Sequence, residues 1–364
     1  YTTQEGYTMS LLEKLKKNTT IKDSAVLSKS KFFQAKDMIQ TSIPALNVAL
    51  SGSLEGGFTP GLTMWAGPSK HFKTAFSLLM VKAYQDKYPD AVTLFYDSEF
   101  GTPQNYFDSF GIDTDRIIHT PITDVEQLKF DIMNQLKEIA RGDRVMIVVD
   151  SIGNLASKKE VEDALDQKSV GDMTRAKQIK SLFRMVTPHL TLKDIPMVVV
   201  NHTYMTMEMY AKPVVGGGTG SYYSADNIFI LGRQQEKEGT DLVGYNFIIN
   251  VEKSRYVREK ARIPVSVKFD GGVSKWSGLL EMALEAGVVV KPSMGWYARV
   301  DSATGEVETK KWRAKDIDTE EFWTPVLESE AFKDWIESNY QFSSAVSGNL
   351  TKEFLDDEVE EDTE

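Results

Sequence analysis

The chain has 364 residues, of which 41% are hydrophobic and 26% charged, the composition of a globular protein that can bury an α/β core and a smaller module. It contains no cysteine, which excludes disulfides, thiolate metal sites and a cysteine nucleophile. The net charge of −11 is uneven, because residues 13–36 hold seven lysines against two acids while residues 353–364 hold eight acids and no base.

Both ends of the chain are predicted to lie outside the packed core. No apolar run reaches the length that spans a membrane, and the lysine-rich N-terminus has no hydrophobic signal core. We expect Met9 to be the natural start, residues 1–8 to be a leader, and residues 10–36 to form a short helix and a flexible arm. The acidic C-terminus is predicted to compete with nucleic-acid phosphates for basic side chains, or else to be a solvated end.

From residue 41 onward, apolar strand-like runs alternate with helical patterns. Strands are predicted at Leu62–Ala66, Ala91–Tyr96, Ile117–Ile118, Val145–Val149, Met197–Val200 and Asn227–Leu231. Helices are predicted at Lys73–Tyr84, Asp124–Ala140 and Asp172–Val186. This alternation predicts an α/β fold with a mostly parallel sheet covered on both faces. Tyr245–Val251 and Ile263–Phe269 follow without an intervening helix and predict an antiparallel extension.

A phosphate-binding loop is predicted between the first strand and the first core helix. Its residues are Gly67, Pro68, Ser69, Lys70, His71, Phe72, Lys73 and Thr74. In the pattern G-x-x-x-x-G-K-[ST], backbone N–H groups surround an anion, the lysine reaches the β- and γ-phosphates and the hydroxyl binds Mg²⁺. Phe72 stands where the pattern has its second glycine, so a Gly/Ser/Lys turn before a helix is the alternative interpretation.

Polar side chains follow three of the predicted strands. Asp150 ends an apolar strand and is expected to hold Mg²⁺ through water. Glu99 follows the strand after the phosphate loop and is expected to position or activate a water molecule, the alternative being a carboxylate that caps the turn before Pro103. His202 follows another strand and is expected to sense the γ-phosphate, although a lone histidine is more often structural.

Two stretches, residues 154–171 and 203–220, interrupt the alternation after strands of the predicted parallel sheet. Long irregular connections in a compact domain are usually functional or disordered, and the carboxyl edge of such a sheet is where ligands bind. After Gly278 a small module is predicted, with helices at Leu279–Ala286 and Glu330–Tyr340 and short strands around Trp296 and within Val307–Arg313.

These motifs, in this order, resemble the RecA-type recombinases, and in particular the UvsX recombinases of tailed bacteriophages. The resemblance runs from about Met9 to about Tyr340. It rests on GPSKHFKT at 67–74, DSE at 97–99, IVVDSIGNLASKKE at 147–160, NHT at 201–203, VVGGGTGSYYSAD at 214–226 and NVEKSR at 250–255. It implies a P-loop NTPase core at residues 41–275, preceded by a polymerisation arm within residues 1–40. A small α+β domain at 276–345 and an acidic disordered tail at 346–364 would follow.

The resemblance also implies roles for individual residues. Tyr106 lies where an aromatic ring stacks on adenine, and Lys73, Thr74 and Asp150 would bind ATP and Mg²⁺. His202 replaces the glutamine that senses the γ-phosphate in the bacterial proteins. Lys253 and Arg255 match a basic pair that reaches the ATP of a neighbouring protomer. The stretches 154–171 and 203–220 match the two DNA-binding loops, and the candidate DNA contacts are Lys158, Lys159, Arg175, Gly216, Gly217 and Gly218.

The function implied by the resemblance is an ATP-dependent recombinase in the cytoplasm of an infected bacterium. It would form helical filaments on single-stranded DNA and pair that strand with homologous duplex. Self-association, phage loading or mediator proteins and single-strand-binding proteins would be its partners, with no membrane involved. The alternatives are a hexameric helicase with the same core, or a filament scaffold that hydrolyses ATP weakly, the latter suggested by Phe72.

Overall fold

The computed structural model describes residues 10–32, 37–166, 173–207 and 209–342. The predicted leader, the acidic tail and parts of both irregular stretches lie outside these residues. The chain divides into two compact units between Asp37 and Met38. In the ranges given above, no helix is both long enough and apolar enough to cross a bilayer.

Within residues 10–32 and 37, the described part of the first unit, there is one α-helix, α1 (Leu11–Asn18). Its N-terminus is closed by a capping box in which the Ser10 hydroxyl accepts the Glu13 N–H and the Glu13 carboxylate accepts the Ser10 N–H. Such reciprocal bonds satisfy two backbone donors that a helix start leaves without partners. The helix is amphipathic, with Leu11, Leu12 and Leu15 exposed.

The second unit is built on a nine-stranded sheet with the order β11-β10-β9-β8-β1-β5-β4-β2-β3. The strands are β1 (Gly61–Ala66), β2 (Val92–Asp97), β3 (Ile117–Pro121), β4 (Val145–Asp150), β5 (Pro196–Asn201), β8 (Asn227–Glu238), β9 (Asp241–Lys253), β10 (Arg262–Lys268) and β11 (Gly272–Val273). β8, β1, β5, β4, β2 and β3 pair in parallel, and β9, β10 and β11 extend the sheet with antiparallel pairing. The predicted parallel sheet with an antiparallel extension is therefore confirmed.

Helices cover both faces of the sheet because both sides of its central strands are apolar. Trp65 of β1 points into one buried cluster while Met64 points into the other. The remaining helices of the core are α2 (Pro44–Ser51), α3 (Lys73–Lys87), α4 (Gln104–Ser109), α5 (Val125–Glu138), α6 (Lys158–Leu165), α7 (Thr174–Lys193) and α8 (Thr219–Ser224). Apolar residues of α2 and α3 pack in the Trp65 cluster, whereas those of α5 and α7 pack in the Met64 cluster.

A small module follows the sheet. It consists of α9 (Leu279–Glu285), β12 (Val289–Ser293), β13 (Trp296–Arg299), β14 (Trp312–Arg313), α10 (Glu320–Glu328) and α11 (Glu330–Tyr340), with β12, β13 and β14 forming an antiparallel sheet. Its interior is aromatic: Trp276 and Trp323 stack with centroids 6.4 Å apart, and Trp312 meets Phe322 edge to face at 5.4 Å. These rings belong to the same buried cluster as Trp65, so the module and the core share one interior.

The two stretches predicted to be irregular contain more regular structure than expected. Lys158–Leu165 is a helix, so the prediction for 154–171 is wrong there, and its N-terminus is set by a Ser157–Glu160 capping box. The stretch 203–220 contains a two-stranded hairpin, β6 (Thr203–Met205) with β7 (Pro213–Val215), and the start of α8. α7 also continues to Lys193, beyond the predicted end at Val186, although Pro188 lies inside it.

Candidate nucleotide-binding site

Four parallel strands deliver the predicted site residues to one edge of the sheet. The phosphate loop follows β1, Glu99 follows β2, Asp150 ends β4 and His202 follows β5. The carboxyl edge of parallel strands is the usual position of ligand sites in α/β folds. A pocket of about 410 Å³ lies here, lined by residues 69–75 of the loop together with Glu99, Tyr106 and His202. Its volume is within the range of small-molecule sites.

The side chain of Lys73 is folded back onto the phosphate loop. It is buried, and its Nζ donates hydrogen bonds to the carbonyl oxygens of Gly67 (3.0 Å) and Pro68 (2.6 Å). Burial lowers the pKa of Lys73, while the nearby carboxylates of Glu99 and Asp150 oppose this effect. An ammonium group in this position can exchange its carbonyl acceptors for phosphate oxygens.

Phe72 takes a left-handed backbone conformation, which glycine adopts more readily than any other residue. Its φ is +64°, in the left-handed region, directly before α3. Its ring stacks on Phe247 with centroids 4.9 Å apart and meets the edge of Phe76 at 5.4 Å. The aromatic contacts hold a residue that the backbone disfavours, so the loop keeps its shape without the second glycine.

Thr74 and Asp150 form the candidate cation site. The Thr74 hydroxyl donates to Oδ2 of Asp150 at 2.7 Å, while Oδ1 is buried without a hydrogen-bond partner. Burial raises the pKa of Asp150 to about 6, with the nearby carboxylates of Glu99 and Asp97 acting in the same direction and Thr74 and Lys73 opposing them. An orphaned carboxylate oxygen beside a hydroxyl fits Mg²⁺, whose other ligands would be phosphate oxygens and water. In the described part of the chain, no three His, Cys, Asp or Glu side chains form a metal cluster of their own.

Three side chains donate to one oxygen of Glu99. Its Oε1 lies 2.7 Å from the Ser151 hydroxyl, 3.1 Å from Nδ2 of Asn154 and 3.2 Å from Nε2 of His202. The hydrogen bond from His202 is the main cause that holds the pKa of Glu99 below its ordinary value, against the opposing effect of burial. Glu99 is therefore ionised at neutral pH, as a residue that orients water must be.

The main chain of Glu99 is fixed by a different residue. Oδ1 of the buried Asp97 accepts the N–H groups of Glu99 (3.0 Å) and Phe100 (2.8 Å), and its Oδ2 lies 3.0 Å from Nε2 of His119. The sequence shows that Asp97 is a polar residue at the end of a predicted strand. Its hydrogen-bond partners, however, are determined by the fold.

Two further residues of the site were not predicted from the sequence as functional. Asn154 contacts Glu99, although the sequence shows it only as a polar residue after a strand. Gly153 is required by packing, because a Cβ there would lie 2.3 Å from Cδ2 of His202. The contact of Asn154 depends on the pairing of β4 with β2, and that of Gly153 depends on the pairing of β4 with β5.

Tyr106 lies on α4 at the rim of the pocket, half-buried, with its ring edge against Phe110 at 5.3 Å. Burial raises the pKa of its phenol, so the ring is neutral at physiological pH. A neutral, partly exposed ring beside the phosphate loop can stack on a nucleobase. Its role as the adenine contact stays a prediction.

Lys253 and Arg255 lie at the opposite edge of the sheet. Lys253 ends β9, and Arg255 forms an ion pair of 2.5 Å with Asp226, which precedes β8. The other oxygen of Asp226 accepts the N–H of Leu62, at the start of β1. The six residues of β1 separate this point from the phosphate loop by about 20 Å, so neither side chain reaches the loop of its own chain.

The candidate DNA contacts have different surroundings. Lys158 and Lys159 are exposed at the start of α6, and Gly217 and Gly218 have positive φ of +88° and +74°. A Cβ at Gly216 would approach the carbonyl oxygen of His202 to 3.2 Å. Their contacts with DNA stay predictions.

Arg175 has a task within the protein that the sequence did not reveal. Its guanidinium donates to the carbonyl oxygens of Ile152 (3.0 Å), Gly153 (3.0 Å) and Leu155 (2.6 Å). Arg175 therefore holds the turn between β4 and α6, whereas its predicted phosphate contact stays untested by this arrangement.

Comparison with known proteins gives two family models and several relatives. A model described as RecA N-terminal domain matches residues 9–274, and one described as the C-terminal domain of the bacteriophage T4 recombination and repair protein matches residues 276–336. The chain is 53% identical to the recombination and repair protein of Enterobacteria phage T4, over 95% of this chain and 90% of that protein. It is 26% identical to a protein RecA of Nocardioides, over 72% of this chain and 75% of that protein.

Proposed function

The chain belongs to the RecA family, and from this premise we propose that it is an ATP-dependent DNA recombinase of the phage type. It forms helical filaments on single-stranded DNA and catalyses homologous pairing and strand exchange. The observation that carries the proposal is the convergence of Lys73, Thr74, Asp150, Glu99 and His202 at one edge of the sheet. Together these groups supply the charge and the hydrogen bonds that phosphoryl transfer to water needs.

Each residue has a distinct task in hydrolysis. The backbone N–H groups of the loop and Nζ of Lys73 bind the β- and γ-phosphates, and Tyr106 stacks on the adenine. Thr74 and Asp150 would hold Mg²⁺, which neutralises phosphate charge when bound. Glu99 orients the attacking water, because its carboxylate is ionised and its main chain is fixed by Asp97.

Filament formation supplies the groups that the single chain lacks at its own pocket. Lys253 and Arg255 lie at the far edge of the sheet, so they would act on the ATP of a neighbouring protomer, as an arginine finger does. Head-to-tail contacts between unlike surfaces produce an open helix when the rotation does not close. The domain limits 1–40, 41–275, 276–345 and 346–364 remain part of this proposal.

DNA would bind along the stretches 154–171 and 203–220, with homologous duplex as the second substrate. Mediator and single-strand-binding proteins of the phage are proposed partners, and the host cytoplasm is the proposed location. The alternatives are a hexameric helicase and a weakly hydrolysing filament scaffold. No observation favours the helicase, and the aromatic packing of Phe72 supports a formed phosphate loop and so argues against the scaffold.

The test is ATP hydrolysis and strand exchange by purified protein, with and without single-stranded DNA. Lys73→Ala should abolish both activities, because a charge-assisted phosphate contact is lost. Glu99→Gln should retain ATP binding and hydrolyse at least about a hundredfold more slowly, since the group that orients water is removed.

Lys82→Ala, which changes a partly exposed lysine on the same helix as Lys73, serves as the control and should behave as the wild type. Normal turnover by Lys73→Ala would show that the loop does not bind the reacting phosphates. Loss of ATP binding in a folded Glu99→Gln variant would instead make Glu99 a ligand.

A further inference from the structure

The side chain of Glu99 lines the nucleotide pocket, and its carboxylate accepts hydrogen bonds from neighbouring side chains. Ser151, Asn154 and His202 all donate to Oε1, at 2.7, 3.1 and 3.2 Å. A carboxylate that accepts several hydrogen bonds is a weaker base and has less rotational freedom than one exposed to water. This arrangement therefore restrains the residue that is expected to orient the attacking water.

The restraint acts on the side chain and not on the backbone of Glu99. The two N–H groups at Glu99 and Phe100 are held by the buried Asp97, which belongs to the rigid end of β2. The carboxylate can therefore turn about its own side-chain bonds while the main chain stays in place. Its position is decided by the donors that reach it.

Two of those donors lie at or next to the N-terminal ends of the two stretches proposed to bind DNA. Asn154 is the first residue of the stretch 154–171, and His202 immediately precedes the stretch 203–220. Asn154 lies in a turn whose carbonyl groups, at Ile152, Gly153 and Leu155, accept hydrogen bonds from Arg175. Arg175 follows the same stretch in sequence, so the turn that carries Asn154 is held by a residue from beyond the stretch.

We infer that Asn154 is a positioning residue that holds Glu99 in a resting arrangement until the described part of this stretch, residues 154–166, binds single-stranded DNA. Movement of the turn withdraws the Nδ2 donor, which leaves Oε1 with two donors instead of three and gives the carboxylate more freedom to orient water. This inference rests on the proposed function, since it assigns a mechanism to the DNA dependence of the same ATPase. His202 has a separate proposed task at the γ-phosphate, so Asn154 is the donor that can be changed without altering that contact.

The test measures the ATPase of the full chain without DNA and with saturating single-stranded DNA. Asn154→Ala should raise the DNA-free kcat about fivefold, the change expected from one hydrogen bond, and leave the DNA-saturated kcat and the KM for ATP within about twofold. Asn154→Leu keeps the approximate size of the side chain, has no N–H donor and adds no charge beside Glu99, and it should raise the DNA-free rate in the same direction.

Asn134→Ala is the matched control, because Asn134 is exposed on α5, and it should retain the wild-type ratio of the two rates. An unchanged ratio in both Asn154 variants, or an equal fall of both rates, would overturn the inference while leaving the proposed function intact. A purely packing role for Asn154 predicts that Asn154→Leu, which preserves the approximate size of the side chain, behaves as the wild type. If the wild-type protein hydrolyses no ATP in either condition, the proposed function fails and the inference fails with it.

Discussion

Position 72 shows how one side chain can compensate for an unfavourable backbone conformation. A residue with a Cβ in the left-handed region costs about 1–2 kcal/mol relative to the right-handed helix, a cost that glycine largely avoids. Phe72 offsets this cost through its contacts with Phe247 and Phe76, each worth about 0.5–1.5 kcal/mol beyond the buried area. The phosphate loop is thereby attached to β9 through an aromatic contact.

The cost of the left-handed backbone and the stabilisation from the ring contacts can be separated by comparing Phe72→Ala with Phe72→Gly. Both variants lose the ring contacts and should be less stable than the wild type, Phe72→Ala by about 2–3 kcal/mol because Phe72 is partly buried. Phe72→Gly should be about 1 kcal/mol more stable than Phe72→Ala, because it relieves the positive φ. Urea unfolding of the three proteins measures the difference.

Phe130, which is 77% exposed in the middle of α5, provides the control. At this position the order of stability should reverse. Phe130→Ala should be more stable than Phe130→Gly by about 1 kcal/mol, because glycine is unfavourable inside a helix. The same order at both positions would contradict the assignment of strain to Phe72.

In the C-terminal module, one carboxylate joins β13 to the segment before β14. Glu308 accepts hydrogen bonds from the backbone N–H and guanidinium of Arg299 and from Nε1 of Trp312. Burial alone would raise the pKa of Glu308, but the donors from Arg299 and Trp312 outweigh it and hold the pKa below the ordinary value. The ionised form of Glu308 is therefore the one that stabilises the module.

Glu308→Gln should lower the free energy of unfolding at pH 7 by about 1.5–3 kcal/mol, the range for hydrogen bonds to a charged group. The pKa of Glu308 is lower in the folded state than in the unfolded state. Its contribution to the free energy of unfolding is therefore complete above the unfolded-state pKa of about 4.3, and it disappears as the pH falls through the folded-state pKa. The difference between wild type and variant should thus shrink as the pH is lowered from 5 to about 3. Urea titrations followed by circular dichroism test this, and Glu306→Gln, at an exposed neighbour, should differ from wild type by less than about 0.5 kcal/mol.

The regular elements were predictable where local pattern and tertiary packing agree. The apolar runs that became β1, β2, β4 and β5 are buried on both faces, so their composition predicts them. α6 was not predicted because it buries none of its side chains and therefore shows no core-facing pattern, its clearest signal being the Ser157–Glu160 capping box. α7 was predicted too short because Pro188 is a poor helix residue, whereas the burial of Leu190 holds the last turn.

The site was predictable to the extent that its residues end strands. Glu99 and Asp150 follow apolar runs, and the parallel order brings them together. The donors around Glu99 could not be predicted, because the contact with Asn154 and the close approach of Gly153 to His202 depend on distances between different strands. Similarly, the sequence does not show that Arg255 lies at the opposite edge from Lys73.

On the scale of the whole molecule, this separation is the arrangement that the proposed two-protomer hydrolytic site requires. In the single chain Lys253 donates to the carbonyl oxygens of Tyr222 and Tyr223, at 2.8 and 3.3 Å, and Arg255 is paired with Asp226. Assembly would exchange these internal acceptors for the phosphates of a neighbour. The two halves of the site can therefore be inactivated independently.

Lys73→Ala and Lys253→Ala should each abolish ATPase activity alone, and an equal mixture should recover up to about one quarter of wild-type activity. In a randomly mixed filament about one quarter of interfaces join an intact phosphate loop to an intact basic pair. Turnover over a range of ratios measures the recovery, with co-assembly confirmed by sedimentation.

The double variant Lys73→Ala/Lys253→Ala, mixed with Lys253→Ala, is the control and should give no recovery, because none of its interfaces contains both groups. If the two single variants co-assemble and remain inactive at every ratio, Lys253 does not act across an interface.

The aromatic interior of the C-terminal module has a spectroscopic consequence. Five of the six tryptophans, Trp276, Trp296, Trp312, Trp323 and Trp335, lie in the region that matches the C-terminal family model, and only Trp65 lies in the sheet. Trp65 packs between Phe76 and Phe229, on the strand that leads into the phosphate loop. Intrinsic fluorescence of this protein therefore comes mainly from the module, and a Trp65→Phe substitution would make that emission a label-free reporter of the module alone.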